Sequence, residues 1–548
     1  MKKDLLIEII LLVIVFGTLF YIGPGSVFRH QLSNTYPLQY AATDGFLYMM
    51  LSEWVYDTGN YRYNPPYSVE GFTDSIAYHP PVFMQLSAVF AHTAGLNSFD
   101  ATSLLLGLAI LAGAFTFYML IRGYNKKVAL ASLPLLLFLF VRTFPVGYTW
   151  GEALLLMGSY FFIVLLLILA NLDRLGDTWS IVILGIVWAA SVLTHTVEAA
   201  FFLAFIILYL AFTALLRQKG VGDLKKAGKV VLLALLIMLV LSFNYLVIFA
   251  NGYLKLTGGA QVTWTPVSPD DPGAIRSPKF TEFTLLSELL IVIGAFLAFM
   301  LAMKKAHPAL LAAPFMLVIG MLNWIGWPYR AFQTRFLWPI YLSVLFGICI
   351  YLCLKHVLKQ DFFTKHGTLI IAIISLTASA AIVFFLYTPV VSGAMYPEQY
   401  NAFRWIDQNT PTTAKVMFFY GDGYSQSGRI LKRPGYHLQT DEYAKFNNAT
   451  RMYRMEAMSV GEMRYIYRPS FFDFKYHMID LNISEVRQFD ICSFDYYVLD
   501  MGSAYFQQIQ QVHLAIRQLL MQHNFTEEYH NNLVSVLKNP HPGGECLA

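Results

Sequence analysis

The chain has 548 residues, of which 57% are hydrophobic and only 13% charged, and its mean hydropathy is +0.51. That balance excludes a soluble globular protein and predicts a polytopic membrane protein. The net charge of +4 does not point to nucleic acid, because most Lys and Arg lie in short connections between apolar runs, where topology accounts for them.

A helix needs about 20 largely apolar residues to cross a bilayer. Runs of that kind fall near 5–22, 100–121, 128–142, 151–171, 178–194, 197–216, 228–250, 285–303, 308–326, 334–354 and 367–388, which predicts eleven spans. The first, MKKDLLIEIILLVIVFGTLFYIG, shows no small-residue cleavage site and reads as a retained helix rather than a signal peptide. The stretch 81–96, PVFMQLSAVFAHTAGL, is apolar but short and opens on a Pro pair. If it does not cross, Lys2 and Lys3, Arg122, Lys126 and Lys127, Arg174, the basic cluster from Arg217 to Lys229, Lys304 and Lys305, and Lys355 to Lys365 all share one side. The positive-inside rule makes that side the cytoplasm, so 81–96 reads as an interfacial helix on the outer leaflet. The expected organisation is a membrane domain over 1–388, with outer loops 23–99 and 251–284, in the plasma membrane with a cytoplasmic N-terminus.

Eleven crossings place 389–548 outside, where charged residues become frequent and apolar runs shorten to strand length. AKVMFFY at 414–420, DYYVLDM at 495–501 and LVSVLK at 533–538 read as strands, with a helical pattern from Tyr505 to about His523, which predicts a small extracytoplasmic α/β domain. Three N-x-S/T triplets, at Asn448, Asn482 and Asn524, suit an external location. Cys349 and Cys353 lie within an apolar run as packing residues, whereas Cys492 and Cys546 are free to pair if this part is external.

This topology collects ionisable residues at the outer ends of the helices. Asp44, Glu53 and Asp57 lie in the first outer loop, Arg142 and Glu152 at the next outer turn, and His195 and Glu198 at the turn after that. Asp270, Asp271 and Glu282 occupy the loop 251–284, and Arg330 and Arg335 precede the tenth span. Ionisable groups at membrane depth are costly, so a functional site is the default reading for them. Each also has a plainer one. Glu53 and Asp57 suit the solvated face of an interfacial helix, Glu152 the favourable charge at a helix start, His195 a loop position, and the arginines a head-group anchor. The sharper reading makes the arginines a forked clamp for phosphate and Asp44 a carboxylate that takes a proton from, or orients, an acceptor. Such a set suits sugar transfer from a polyprenyl phosphate, whose leaving group develops negative charge at the bilayer surface. Neither GxxxxGK[ST] nor GxGxxG occurs to suggest a nucleotide site.

These residues resemble the GT-C superfamily of membrane glycosyltransferases, which includes protein O-mannosyltransferases, aminoarabinose transferases and the catalytic subunit of oligosaccharyltransferase. In the first loop the resemblance rests on Asp44, the turn Gly59-Asn60-Tyr61 and Tyr78-His79-Pro80-Pro81, which is similar to the HPPL or KPPL signature. TWGEALLLMGSY is similar to the second acidic motif, with Trp150 where the first acid would stand and Glu152 alone. RAFQTRFLWPIYLSVLFGI looks like the family helix that opens on an arginine and a proline, which implies that Arg335, with Arg330 nearby, approaches the lipid phosphate. FFYGDGY stands where the oligosaccharyltransferases carry WWDYG, so the resemblance does not extend to reading an acceptor sequon. By this resemblance Asp44 and Glu152 are catalytic, and Tyr78, His79, His195, Arg330 and Arg335 bind substrate. The oligosaccharyltransferases hold a divalent cation, which implies Mg2+ or Mn2+ at Asp44, Glu152 and His195, whereas the mannosyltransferases work without one. The expected partners are a polyprenyl-phosphate-linked sugar and an external protein, lipid or glycan acceptor. The alternatives are oligosaccharyltransferase-like transfer of a glycan from a polyprenyl diphosphate, and a lipid-linked sugar transporter. A transporter favours mid-helix charges and an inverted repeat, and no repeat is visible here.

Overall fold

The computed structural model describes residues 2–26, 29, 43–62, 65, 79–216, 224–249, 277–325, 331–388, 396–419, 432–433, 435–438, 452–455, 465–469, 476–480, 487–501, 510–544 and 546. The chain begins with α1 (Lys2–Ile22), which at 21 residues is about 31 Å long, enough to cover a hydrocarbon core of about 30 Å. Two helices outside the spans follow, α2 (Thr43–Thr58) and α3 (Val82–Ala94). At 13 residues α3 is about 20 Å long, too short to cross, and it buries Phe83, Met84 and Ala91 while leaving Leu86 and Val89 exposed.

The long helices are α4 (Ser98–Tyr124), α7 (Ala153–Ala170), α9 (Thr196–Leu215), α10 (Leu224–Phe249), α11 (Leu285–Lys304) and α14 (Gln360–Leu386). The helical run 331–357, which ends in α13 (Ser343–Val357), is also long enough. With α1 that makes eight helices among the described residues with the length and composition of a span. The other three predicted spans are shorter pieces: α5 (Lys126–Leu136), α8 (Asp177–Val192) and α12 (Pro308–Met321). In α5 the cause is local. Asn125 opens it by accepting from the amides of Lys127 and Val128, and Pro134 withdraws a donor near its end, after which Leu137–Phe140 tightens into a 3-10 turn. The short helix α6 (Val146–Trp150) then reverses the chain into α7.

Close packing between spans uses small residues. Gly294 of α11 leaves no room for a Cβ against the backbone of Leu345 in α13, which lets the two backbones touch. At the end of the bundle that holds Lys126, Glu8 of α1 is buried and accepts from Tyr118 Oη (2.6 Å), Arg122 Nε (2.5 Å) and Lys126 Nζ (2.8 Å). Those contacts fix α1 against α4.

The C-terminal part is built on a five-stranded sheet in the order β2-β1-β7-β9-β8. Its members are β1 (Val416–Phe419), β2 (Gly435–Leu438), β7 (Tyr496–Asp500), β8 (Thr526–His530) and β9 (Val534–Lys538). β1 pairs parallel to β2 and β7, and β9 pairs antiparallel to β7 and β8. Helix α15 (Pro397–Asn409) precedes β1, and α16 (Gln510–Gln522) connects β7 to β8. Two antiparallel pairs stand apart from the sheet, β3 (Met452–Met455) with β6 (Arg487–Asp490) and β4 (Tyr465–Pro469) with β5 (Tyr476–Asp480). The three expected strands are present, and the expected helix is present from Gln510, its predicted start at Tyr505 lying outside the described residues. Cys492 and Cys546 form a disulfide, and Asn524 is exposed at the turn after α16, whereas Asn448 and Asn482 lie outside the described residues.

The sheet does not have a core to itself. Ala402, Phe403, Ile406, Val416, Phe418, Val498 and Val536 share one buried apolar cluster with Phe46 and Met49 of α2 and Phe99 of α4. The sheet domain is therefore seated on α2, the helix that carries Asp44 in its first turn.

Candidate functional site

Asp44 is the second residue of α2, and its side chain lies outside the described set. One turn further on, the Tyr48 ring meets His79 edge-on at 5.7 Å and Phe83 at 6.4 Å, which ties the start of α2 to the His79-Pro80-Pro81 segment. Desolvation of the half-buried His79 imidazole pushes its pKa down to about 4, so the ring is neutral at physiological pH. Val82 donates its amide to the Leu193 carbonyl (3.0 Å), which sets this segment beside the α8–α9 turn that carries His195. Gly59, at φ +69°, closes α2 in a left-handed conformation that suits glycine, as the predicted Gly59-Asn60-Tyr61 turn requires.

Glu152 stands at the N-cap of α7, after Gly151 reverses the chain at φ +73°. Its carboxylate does not cap the helix. Instead Oε1 accepts from Gln333 Nε2 (3.2 Å), and Trp150 packs edge-on against Phe336 at 6.3 Å. The α6–α7 turn is thereby joined to the 3-10 segment Ala331–Leu337 that carries Arg335.

Arg335 is only 2% exposed. Its Nε donates to the Gly320 carbonyl (2.6 Å), one terminal nitrogen bonds Asn323 Oδ1, and the guanidinium lies 5.1 Å from the Trp324 ring and 5.8 Å from that of Trp338. Among the described residues, the other terminal nitrogen, Nη1, has no hydrogen bond and no carboxylate pairs with the guanidinium. The carbonyl, the amide and the ring faces solvate this cation but do not neutralise it.

His195 precedes α9, and its Nδ1 meets the Glu198 carboxylate, which is 0% exposed. Both pack on Gly158 of α7, where a Cβ would stand 2.8 Å from His195 Cβ and 3.4 Å from Glu198 Oε2. Gly158 lies six positions after Glu152, about 9 Å along the helix. Among the described residues no three His, Cys, Asp or Glu side chains gather as metal ligands. Of the expected set, Glu152 stands at the start of α7 whereas His195, ahead of α9, packs against Gly158 further along that helix, with Nδ1 of His195 taken by Glu198.

The solvated position predicted for Asp57 holds, since its side chain is 43% exposed, whereas Glu53 is largely covered at 15%, and both meet a cation that the sequence did not announce. Lys432, which follows β1, places Nζ 2.8 Å from Asp57 Oδ2 and 3.3 Å from Glu53 Oε1. Burial alone would lower the Lys432 pKa, but the two carboxylates outweigh it and raise it. Arg142, expected beside Glu152, instead donates to the backbone carbonyl of Glu282 (2.8 Å). Tyr78, Arg330, Asp270, Asp271 and the segment 420–424 lie outside the described residues.

Charge-based reading missed Gln333 and Asn323 because neither ionises, although both flank the recognised arginine. It missed Lys432 because nothing in the local sequence ties that residue to α2.

No protein-family model matches the chain, and no curated protein is similar to it in sequence. Solved structures do match. The aminoarabinose transferase ArnT from Cupriavidus metallidurans, bound to undecaprenyl phosphate, aligns over 98% of this chain and 98% of its own at 14% identity, with a TM-score of 0.54. The archaeal oligosaccharyltransferase AglB from Archaeoglobus fulgidus, in complex with an inhibitory peptide and a dolichol-phosphate, aligns over 90% of this chain and 69% of its own at 12% identity, with a TM-score of 0.56. The helical bundle with its C-terminal sheet domain therefore has the fold of the GT-C membrane glycosyltransferases.

Proposed function

We propose that this chain is a membrane glycosyltransferase that moves a sugar from a polyprenyl-phosphate carrier to an acceptor outside the cytoplasm. In this reading 1–388 is the catalytic membrane domain and 389–548 an external domain, with the N-terminus in the cytoplasm and the plasma membrane as the location. The observation that carries it is Arg335, a guanidinium buried at the end of the bundle without a carboxylate partner among the described residues and with Nη1 left over. A buried cation of that kind is compensated when an anion arrives, and a phosphate oxygen suits a guanidinium N–H. Two further features support the reading. The ArnT and AglB structures hold undecaprenyl phosphate and dolichol-phosphate. The Cys492–Cys546 disulfide suits an oxidising external compartment.

The step is a displacement at the anomeric carbon of the sugar. An acceptor hydroxyl forms the new C–O bond as the bond to phosphate oxygen breaks, the electron pair leaves with the phosphate, and the hydroxyl proton passes to Asp44. Arg335 stabilises the charge on the departing phosphate, with Arg330 in the same role by resemblance. Glu152, oriented by Gln333, and the neutral His79 hydrogen-bond the sugar and the acceptor, with Tyr78 in the same role by resemblance. His195, held by Glu198, lines the same end. Mg2+ or Mn2+, if held by Asp44 and Glu152, would add positive charge near the phosphate; Glu152 suits it as a hard oxygen donor. The near-complete mutual coverage with ArnT favours a single-sugar donor over a preassembled glycan.

The test is Asp44→Asn. Transfer in isolated membranes should fall by about 100-fold or more, while polyprenyl lipid still co-purifies with the protein by native mass spectrometry. A variant that transfers at the parental rate removes Asp44 from the reaction.

A further inference from the structure

Glu53 and Asp57 are left without a part in the chemistry above, yet they are one helical turn apart on the helix that Asp44 begins and share a face of it. Both are met by one ammonium group, that of Lys432, at 3.3 and 2.8 Å. Lys432 belongs to the sheet domain and is itself held. The next residue, Arg433, is buried and bonds the Asp407 carboxylate (3.4 Å) and the carbonyls of Asp407 (3.0 Å) and Thr410 (3.1 Å) at the end of α15. The Lys432 backbone sits at φ +40°, a conformation that non-glycine residues adopt only when their surroundings impose it. At the other end of α2, Phe46 and Met49 enter the apolar cluster of the sheet domain just after Asp44. The helix is thus gripped by apolar burial beside Asp44 and by charge near its C-terminus. Apolar burial is strong but non-directional, whereas a charge pair at a rim adds little adhesion and fixes register.

We propose that Lys432 is a positioning residue, an ionic latch to Glu53 and Asp57 that sets the register of the sheet domain on the helix headed by Asp44. What the latch positions, an external acceptor against Asp44, rests on the function proposed above. The sheet domain can stay attached through its apolar contact when the latch is broken, but then shifts or rocks on α2.

The test uses the full-length protein in lipid nanodiscs and reads hydrogen–deuterium exchange over 43–58, together with transfer in membranes. Lys432→Glu sets a third carboxylate against two others, so exchange should accelerate about tenfold and transfer fall by about the same factor. Co-purified polyprenyl lipid should be unchanged. Lys432→Arg should retain parental behaviour, and the swap Lys432→Glu with Asp57→Lys should restore protection and transfer to within about threefold. A merely structural contact would not be rescued by reversing both charges. Native protection in Lys432→Glu, or no recovery in the swap, overturns the latch. Exchange is read without turnover, so a parental protein that transfers no sugar refutes the proposed function, while the exchange result still decides the latch.

Discussion

Replacing Gly158 with alanine asks whether His195 matters to the site, because the structure predicts opposite sizes for its effects on stability and on rate. The new Cβ would stand 2.8 Å from His195 Cβ and 3.6 Å from Glu198 Cβ. Carbon atoms rest at about 3.5–4.0 Å, so the His195 side must yield by roughly 1 Å. Glu198 is fully buried, and the adjoining turn is held by Trp188 Nε1 donating to the Ala199 carbonyl (3.3 Å). The movement is therefore forced onto His195, which is 23% exposed on its free side. Overpacking of this kind costs about 1–3 kcal/mol, and the better helix propensity of alanine returns about 1 kcal/mol. The melting temperature of the detergent-solubilised protein should fall by only a few degrees. If His195 lines the site as proposed, a displacement of roughly 1 Å there costs, by contrast, on the order of 100-fold in rate. Transfer in membranes, normalised to folded protein, should show that loss. A Gly158→Ala protein that melts slightly lower and transfers at the parental rate would remove His195 from the proposed site.

At the opposite end of the bundle, Glu8→Ala strands Arg122, Lys126 and the Tyr118 hydroxyl together. Both cations are about one-third exposed, so the cost falls to about 2 kcal/mol and should appear as a lower melting temperature, with Glu8→Gln milder. A parental melting curve for Glu8→Ala would show that this cluster does not hold α1. In the sheet domain, burial pushes the His513 pKa down to about 4, below the value of about 6.5 in an unfolded chain. Between those values the unfolded state binds more protons, so this contribution to stability is intact above about pH 6.5 and declines toward pH 4 by up to about 1.4 kcal/mol per pH unit. His513→Asn should flatten that slope in chemical unfolding at pH 4.5–7, and an unchanged slope rules the residue out as its source.

The long spans were legible because twenty apolar residues announce themselves by composition alone. The pieces over 126–140, 177–192 and 308–325 were legible as apolar, but not as short helices. Pro134 and Pro314 lie inside two of them, and what such a run does next depends on its neighbours. Arg335 was visible through its motif, whereas the Gly320 carbonyl and Asn323 that hold it arrive from a separate turn, and Gln333 carries no charge to draw notice. The ion pair of Glu53 and Asp57 with Lys432 was not legible, because that lysine stands 375 positions beyond Asp57. Pairing of Cys492 with Cys546 was one of two open outcomes, and the sheet that brings them together decided it. The seating of the sheet domain on Phe46, Met49 and Phe99 left no local signal, since these three residues are indistinguishable in sequence from lipid-facing ones.

That shared apolar cluster has a consequence for biosynthesis. Phe46 and Met49 leave the ribosome about 350 residues ahead of Phe403, which at 5–20 residues per second is a wait of roughly 20–70 s. On the proposed topology, α2 spends that interval on the far side of the membrane with its greasy side uncovered. A chain stalled or clipped in the connection before α15 would keep that side bare, and quality-control proteases would find it there.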